Sequence, residues 1–488
     1  MNFNFDNIGL NFDNSYSNLP NILMSETNPI PVKLPKLQVF NKKLGEDLNL
    51  NFDKLNCSNI AQLFSGNLLP SGSKSIAQAY AGHQFGFFTM LGDGRATLLG
   101  EHITKKNKRF DIQLKGSGRT PYSRNGDGRA TLTSVLREYL ISEAMHGLGV
   151  PTTRSLSVIS TGEYIRREKD YMGGILTRIA SSHIRVGTFQ YLSMKGDIDT
   201  LKKLVDYCLK RHFSEKNIDI NPSITLLKLV LRTQINLIIE WMRIGFIHGV
   251  MNTDNMTISG ETIDYGPCSF MDYYNPKTVF SSIDTQGRYN FKNQEIICHW
   301  NISRFAETLI PLLANTEEKA IELGKKIINE FTSIFNQKWK SMIKNKLGFI
   351  GDSPGDDVFI KNLFNWMEEN KADYTNTFRF LMNNQKELGN VYEKKSFTNL
   401  LNQWEKRINI NNSSKLNYLN LMQSNNPLII PRNHLVERAL YNASEENNYD
   451  SFKALNEQLQ NPYNLDYKNF QIPQSTLYTK NYKTFCGT

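Results

Sequence analysis

Cysteine is scarce in this sequence, and its distribution excludes two common kinds of site. No two of the five cysteines stand at CxxC spacing, and none has a nearby histidine in zinc-site order. Neither a zinc site nor a dithiol redox motif is therefore predicted. A sparse, odd-numbered set of cysteines in 488 residues is typical of a reducing compartment. We expect a cytoplasmic protein.

The sequence also lacks a long uncharged apolar run and a targeting segment. Its most apolar stretch, residues 226–247, is interrupted by Lys228, Arg232, Glu240 and Arg243, which favours a buried amphipathic helix. The first twelve residues are neither basic nor rich in Arg and Ser, unlike a secretory or transit peptide. No membrane association is expected.

Motifs that combine basic and aromatic residues for nucleic-acid recognition are absent too, although the chain is basic. Lys and Arg number 57 against 47 Asp and Glu, for a net charge of +10. A basic surface attracts polyanions, nucleotides included. Much of the excess is surface-type lysine, as in residues 105–109. Without a recognition motif we expect no nucleic-acid binding.

The composition and the pattern of the sequence divide the chain into four segments. Residues 1–45 are rich in Asn and Pro and predict an extended N-terminal arm, whereas 46–195 are dense in Gly and Arg with short strand-like runs. Residues 196–440 carry the catalytic and metal motifs among helical patterns, and 441–488 form a C-terminal tail. This order predicts an α+β, protein-kinase-like fold of two lobes, a β-containing nucleotide-binding N-lobe and a helical C-lobe. The helical patterns are 200–213, 223–245, 302–313, 316–346 and 357–369.

A strand that ends in a lysine precedes a helix that carries a glutamate. Apolar and polar residues alternate through 110–115, with Lys115 at the end, as in a half-buried strand. Helical spacing follows over about 131–147, with Glu138 beside the apolar stripe. Kinases hold a lysine against nucleotide phosphates with such a pair. We expect a Lys115–Glu138 ion pair, with two separate surface charges as the alternative.

A second motif has the spacing of kinase metal ligands. His248 and Asn255 stand at the separation of H-x-D-x-x-x-x-N, and Asp264 begins an Asp-Tyr-Gly run comparable to D-F-G. The oxygens of Asn255 and Asp264 suit Mg²⁺ bridged by phosphates, although such residues also form plain turns. The position of the kinase catalytic carboxylate is Val250, which cannot accept a proton, and the nearest carboxylate is Asp254. An altered reaction, or none, is expected rather than ordinary phosphorylation.

Glycine-rich turns and two inner arginines are candidate phosphate contacts. The heptapeptide GDGRATL occurs at 92–98 and again at 126–132, which predicts two related turns that present backbone N–H groups and an arginine. Arg178 and Arg185 flank a mostly apolar segment and need an acidic or phosphate partner. Simple tight turns and structural ion pairs are the alternatives.

These segments together resemble the selenoprotein O family over most of the chain. The long matching runs are AYAGHQFG (79–86), LGDGRATLLGE (91–101), QLKGSGRTPYSRNGDGRATL (113–132), LREYLISEAMHGLGVPTTR (136–154), SHIRVGTFQ (182–190), HGVMNTDNM (248–256), TIDYGPCSFMD (262–272), ADYTNTFR (372–379) and PRNHLVE (431–437). The resemblance implies a kinase-like fold that binds ATP in a flipped orientation. It also implies transfer of AMP to Ser, Thr or Tyr hydroxyls of proteins, with pyrophosphate released and UMP transfer as a variant.

Carried over residue by residue, the resemblance implies roles for particular side chains. Asp254 is the proton acceptor, Asn255 and Asp264 bind Mg²⁺ or Mn²⁺, and Glu138 positions Lys115. The implied nucleotide contacts are Gly92, Gly94, Arg95, Lys115, Asp127, Gly128, Arg178, Arg185 and Asp264.

The family carries a selenocysteine or cysteine near the C-terminus, which here is Cys486, a candidate exposed redox thiol. It is followed by Gly-Thr where two serines are expected, and the loop after Asp264 offers only Cys268 as a partner. Both departures argue against the regulatory disulfide of some relatives.

Two other functions compete with adenylyl transfer. An ordinary kinase should carry an acid at position 250, where this chain has valine. A non-catalytic ATP-binding scaffold would have no reason to keep Asp254, Asn255 and Asp264 together. The sequence therefore favours a protein adenylyltransferase with ATP and protein hydroxyls as substrates.

Overall fold

An antiparallel sheet of eight strands dominates the first part of the computed structural model, which describes residues 8–53, 55–217, 221–383, 389–410, 415–464 and 472–485. The strands are β1 (Met24–Glu26), β2 (Lys36–Phe40), β3 (Ile76–Gln78), β4 (Ala81–Gln84), β5 (Phe87–Met90), β6 (Ala96–Ile103), β7 (Arg109–Lys115), β8 (Ala130–Thr131), β9 (Arg154–Arg166), β10 (Asp170–Ala180), β11 (Phe246–Ile247) and β12 (Ser269–Phe270). The order in the sheet is β1-β3-β6-β7-β10-β9-β2, with β8 paired to β10. Strands β4–β5 and β11–β12 form two separate hairpin-like pairs.

The helices lie mostly after the sheet. They are α1 (Lys42–Asp47), α2 (Cys57–Phe64), α3 (Leu132–Gly147), α4 (Val186–Lys195), α5 (Ile198–His212), α6 (Pro222–Arg243), α7 (Gln294–Leu313), α8 (Glu317–Asn329), α9 (Phe331–Leu347), α10 (Asp356–Glu369), α11 (Tyr374–Asn383), α12 (Lys395–Asn409), α13 (Lys415–Asn425), α14 (Asn433–Ser444), α15 (Asp450–Leu459) and α16 (Thr476–Asn481). The architecture is thus mixed α/β, with an antiparallel sheet and a mainly helical remainder.

The two faces of the sheet contribute to two apolar clusters. On β10, Ile175 and Ile179 face a smaller cluster with α1 and α2, and Leu176 faces the large cluster that contains α3. This alternation follows from the two-residue period of a strand. Arg178 has the parity of Leu176 and therefore points to the α3 side of the sheet, which positions it for the cavity described below.

Local sequence explains the ends of helix α3. Its first turn is capped by the hydroxyl of Thr131, which accepts from the Ser134 N–H at 3.2 Å. The chain leaves the helix through Gly149, whose φ of +76° is a left-handed conformation that suits glycine. The helix predicted at about 131–147 and the strand predicted at 110–115 both form within a residue or two of those bounds.

The N-terminal segment differs from the extended arm that the sequence predicted. Strand β1 pairs with β3, and β2 pairs with β9 at the far edge of the sheet. Tyr16 and Leu23 are buried in the large apolar cluster. The apolar residues show no period because each contacts a different element, so composition alone did not indicate a sheet component.

One stretch that the sequence predicted as a single helical pattern forms two helices. Residues 316–346 divide into α8 and α9 at Glu330, where the backbone keeps right-handed helical angles. No Gly or Pro marks the division, so the sequence carried no signal for it.

Helix α6 is long and apolar enough to cross a membrane by composition, and most of it is buried. It packs against α5, α7 and α9, which is the position of a core helix. Asn221 caps its first turn by accepting from the N–H groups of Ser223 and Ile224.

Candidate active site

A cavity of about 380 Å³ opens between the sheet, helix α3 and the loops that follow β11. Every predicted nucleotide, metal and proton-transfer residue in the described part of the chain lines it: Gly92, Gly94, Arg95, Lys115, Asp127, Gly128, Glu138, Arg178, Arg185, Asp254, Asn255 and Asp264. Cys486 lies outside the described residues.

Glu138 on α3 joins two cations that stand on neighbouring strands. Lys115 Nζ lies 2.6 Å from Glu138 Oε2, and Arg178 Nε lies 2.9 Å from Glu138 Oε1. The β7–β10 register pairs Gln113 with Arg178 and Lys115 with Leu176, so both cations face α3 from adjacent positions. The two cations lower the pKa of Glu138, against the opposing effect of its burial.

Asp264 is the second carboxylate of this cluster and contacts three cations. Its Oδ1 lies 2.6 Å from Lys115 Nζ and 2.6 Å from Arg178 Nη2, and its Oδ2 lies 2.8 Å from Arg185 Nη1. These cations hold the pKa of Asp264 well below its ordinary value, against the opposing effect of its partial burial. The backbone of Asp264 is left-handed, with φ of +63°. Such a conformation in a non-glycine residue is uncommon and clusters at functional sites.

Asp254 is the carboxylate nearest to this cluster on the neighbouring loop. Its Oδ1 is buried and has no hydrogen-bond partner among the described residues, and Gln84 Nε2 lies 3.5 Å from its Oδ2. A Cβ on Gly82 would lie 2.3 Å from that Oδ1, so only glycine permits this approach. Burial raises the pKa of Asp254 to about 6. The result is a carboxylate more basic than an ordinary aspartate, held at the cavity wall.

Asn255 and His248 order the loop around Asp254. The Asn255 Nδ2 donates to the Val250 carbonyl at 2.9 Å, which leaves its Oδ1 as the free oxygen donor of that amide. His248 Nε2 lies 2.9 Å from the Ile263 carbonyl, and the Val250 N–H donates to its Nδ1 at 3.4 Å. His248 therefore joins the Asp254 loop to the residue before Asp264.

The two GDGRATL turns do not share one backbone conformation. In the first, Gly92 has φ of +135°, and a Cβ there would lie 2.4 Å from Tyr122 Cγ. In the second turn, the glycine with a positive φ is Gly128, at +70°. A Cβ there would lie 2.1 Å from the Gly118 carbonyl oxygen. The first peptide continues into the long strand β6, whereas the second continues through the two-residue strand β8 into helix α3. The expectation of two related turns therefore holds only for their location at the cavity.

Asp127, from the second turn, is already paired. Arg167 donates from Nη1 and Nη2 to its two carboxylate oxygens at 2.7 and 2.9 Å. These hydrogen bonds lower the pKa of Asp127.

Several cavity residues were missed by the sequence analysis, and three of them contact predicted site residues. Tyr80 lies under Arg185, with the guanidinium carbon 4.7 Å from the ring centroid, and Gln84 approaches Asp254. Both belong to the run AYAGHQFG, which was matched to the family without a chemical role. Arg167 lies in the charged β9–β10 turn, which reads as a solvated surface loop in sequence.

Comparisons with known proteins agree over nearly the whole chain. A family model described as Protein adenylyltransferase SelO matches residues 6–460. The chain is 51% identical over 484 residues to the Protein nucleotidyltransferase YdiU of Pelagibacter ubique (strain HTCC1062), which covers 99% of this chain and 100% of that protein. It is 51% identical over 483 residues to the protein of the same name from Brevibacillus brevis (strain 47 / JCM 6285 / NBRC 100599), covering 98% of each.

Proposed function

Because the chain belongs to the SelO family of protein adenylyltransferases, we propose that this cavity binds ATP and transfers AMP to hydroxyl groups of Ser, Thr or Tyr in proteins. The observation that carries the proposal is the assembly, around one cavity, of a buried basic carboxylate, two further oxygen donors and a cation cluster. The acceptor oxygen would form a bond to the α-phosphorus while the bond to the bridging oxygen breaks and pyrophosphate leaves.

Asp254 is our candidate for the proton acceptor in this reaction. The carboxylate lines the cavity, and its pKa of about 6 makes it a better base than an exposed aspartate. Val250, on the same loop, lines the cavity and offers no proton acceptor. The hydroxyl proton would therefore move to Asp254 as the oxygen attacks.

The cation cluster would hold the polyphosphate. Among the described residues, Lys115, Arg178 and Arg185 form ion pairs with two carboxylates, Glu138 and Asp264, so three cations share two direct partners. Phosphate oxygens are strong acceptors for such donors. The backbone close to Gly92, Gly94, Arg95 and Gly128, with Asp127 beside it, would complete the nucleotide contacts.

The donor set fits a divalent metal. The amide oxygen of Asn255 and the carboxylate of Asp264 are hard oxygen ligands, and both residues line the cavity. No group of three His, Cys, Asp or Glu ligands occurs within the described ranges, so phosphate and water oxygens would have to complete the shell. A bound divalent ion would neutralise charge on the phosphates. We propose Mg²⁺ or Mn²⁺ for this position.

We also propose that the fold is kinase-like and two-lobed. The strand lysine paired with a helix glutamate, and an aspartate that approaches both from a later loop, support this interpretation. Residues 46–195 would form the N-lobe and 196–440 the C-lobe. Strands β1 and β2 would add the preceding arm to the N-lobe, and α14 and α15, which pack on α3, would join the start of the 441–488 tail region to it.

A cytoplasmic location is consistent with the cysteines. The four in the described residues, Cys57, Cys208, Cys268 and Cys298, are all free thiols.

The proposed reaction is tested by asking which phosphate of ATP remains attached to the protein. The purified chain is incubated with Mg²⁺ or Mn²⁺ and ATP labelled at the α- or the γ-phosphate, with self-modification as the readout. We expect label from the α position only, lost on addition of EDTA and lost in Asp254→Ala. The control Asp170→Ala, an exposed carboxylate on β10, should label normally. Label from the γ position alone would make the protein a kinase, and label from neither would make it a scaffold.

A further inference from the structure

The β4–β5 hairpin presents an apolar strand to solvent at the edge of the cavity. Phe87 is 79% exposed, and Phe88 and Met90 are each 39% exposed. Within the described residues β5 pairs only with β4, and its other edge is unpaired. An exposed aromatic strand of this kind is unfavourable unless a partner covers it.

The register of the hairpin determines which side chains face Asp254. Gly82 pairs with Thr89 and Gln84 pairs with Phe87, so the side chains of Gln84, Phe87 and Thr89 lie on the face where Gly82 would carry one. It is the face of Asp254, because Gln84 reaches that carboxylate and a Cβ on Gly82 would strike it. Phe87 is therefore one cross-strand step from Gln84, about 5 Å between Cβ atoms, on the approach to the proposed proton acceptor.

The other face of the hairpin is partly covered by the protein. His83 packs edge-on against Phe88 and against Trp300, with centroid distances of 5.3 and 5.2 Å. The two aromatic residues of β5 thus differ: Phe88 has an intramolecular partner, whereas Phe87 is left to solvent.

Two hydrogen bonds attach the hairpin to the Asp254 loop. The His83 N–H donates to Thr253 Oγ1 at 2.7 Å, and the Phe85 N–H donates to Asn252 Oδ1 at 3.1 Å. Thr253 and Asn252 immediately precede Asp254, so the hairpin is joined to the segment that carries the carboxylate.

A guanidinium borders the hairpin turn. A Cβ on Gly86 would lie 3.8 Å from Arg288 Cζ, and that guanidinium stacks 4.9 Å from the Trp300 ring centroid. Arg288 has no carboxylate partner in the part of the chain that the structure describes. An acidic group on a bound partner would complete its charge pairing.

We propose that the hairpin shelf, defined as the face of Gln84, Phe87 and Thr89 together with Arg288 at the hairpin turn, docks the acceptor protein and selects its sequence. The occupant is an extended acceptor segment with a large apolar side chain against Phe87 and an acidic residue against Arg288, close in sequence to the modified hydroxyl. The inference rests on the proposed function, which requires a protein hydroxyl at Asp254. The shelf is continuous with the cavity through Gln84, and its charge complements an acidic segment.

A positional-scanning peptide array tests the shelf. Peptides with a central serine in an alanine background carry one Phe, Asp or Lys at each flanking position, and are incubated with α-labelled ATP and divalent metal. We expect one position that favours Phe and one that favours Asp. Phe87→Ser should erase the Phe preference, and Arg288→Glu should change the Asp preference to Lys. The control Val358→Ser removes a 62% exposed apolar side chain from α10 and should leave the profile unchanged.

Binding of the preferred peptide without nucleotide, followed by fluorescence anisotropy, separates docking from chemistry. Phe87→Ser should weaken binding about tenfold or more, as removal of an aromatic anchor does, while the affinity for ATP stays unchanged. Wild-type binding that depends on Phe87, with no α-label on any peptide, would support the shelf and overturn adenylyl transfer. Peptide binding and array profiles that are the same in wild type and Phe87→Ser would overturn the shelf, whichever group is transferred.

Discussion

Two charged clusters use the same residue types to different ends. In the cavity cluster, three cations contact Glu138 and Asp264, and the Asp264 side chain is 24% exposed. In the inner cluster, Arg432 lies between Asp272 and Asp373, 2.6 Å from an oxygen of each, and all three side chains are at most 4% exposed. The cavity cluster reaches solvent at Asp264, whereas the three side chains of the inner cluster are enclosed. Only the first is able to exchange a partner for a ligand.

The inner cluster also explains two runs that resemble the family outside the cavity. Asp373 belongs to ADYTNTFR and Arg432 to PRNHLVE, and together they join α11 and α14 to the loop after β12. Their role is to hold the helical region together. A specific sequence run is therefore as compatible with a buried structural contact as with a site.

The largest effect is expected at Asp264. Asp264→Asn keeps the shape but removes the charge shared by three cations, so AMP transfer should fall about a thousandfold. The metal-dependent part of ATP affinity, measured by calorimetry with and without EDTA, should disappear. Asp170→Asn is the control. Undiminished Mg·ATP affinity in Asp264→Asn would show that this carboxylate is structural, like Asp373, and would remove the contrast between the clusters.

In the inner cluster the expected effect is on stability. Arg432→Met leaves two buried carboxylates without their shared cation and should cost about 3–5 kcal/mol in free energy of unfolding. Urea denaturation measures it, and activity per folded molecule should not change. Arg166→Met, in an exposed pair with Asp170, should cost less than about 0.5 kcal/mol. A loss of ATP affinity in folded Arg432→Met would mean that the two clusters are coupled.

The Lys115–Glu138 pair should behave as one unit. Lys115→Met and Glu138→Gln should each lower transfer about a hundredfold, and the double variant should lose little more, because each residue acts through the other. The measurement is kcat/KM with α-labelled ATP. If the two losses multiply in full, the residues act independently and the cavity cluster is a set of separate contacts.

The smallest effect is expected at Glu261. This buried carboxylate accepts hydrogen bonds from hydroxyl groups and a backbone N–H, whereas the carboxylates of the two clusters pair with cations. Ser181 N–H, Ser181 Oγ and Ser259 Oγ donate to it, and burial nevertheless raises its pKa to about 7. A pKa raised by folding means that the folded state binds the proton more tightly. Glu261 should therefore contribute stability below about pH 4.5 that is lost as pH rises through 7.

Between pH 5 and 7, the expected loss of stability that is due to Glu261 is about 2 kcal/mol. Glu261→Gln should flatten the fall in stability between pH 5 and 7, measured by urea denaturation at several pH values. A slope that is equal in wild type and variant would show that the hydrogen bonds, rather than burial, control this carboxylate.

Much of the candidate site was accessible from sequence because its parts carry local signals. The strand ending at Lys115 and the helix bearing Glu138 follow from periodicity, and both form as expected. The spacing from His248 to Asn255 and Asp264 indicated a metal pair, whose role stays a prediction. Gln84 and Tyr80 were overlooked because nothing in a short Gly-containing run indicates which side chain meets a carboxylate distant in sequence.

Periodicity, residue chemistry and family membership were readable in the linear chain, since each depends on neighbours or on extended matching runs. The ion-pair partner of each charged residue could not be read from the sequence. Arg178 and Arg432 look alike in sequence, both embedded in mostly uncharged segments, yet one borders the cavity and the other is enclosed. Pairing depends on which strands and helices pack together and on whether water reaches the contact. Those are properties of distance and burial in three dimensions, and they make Asp264 a candidate ligand and Asp373 a structural anchor.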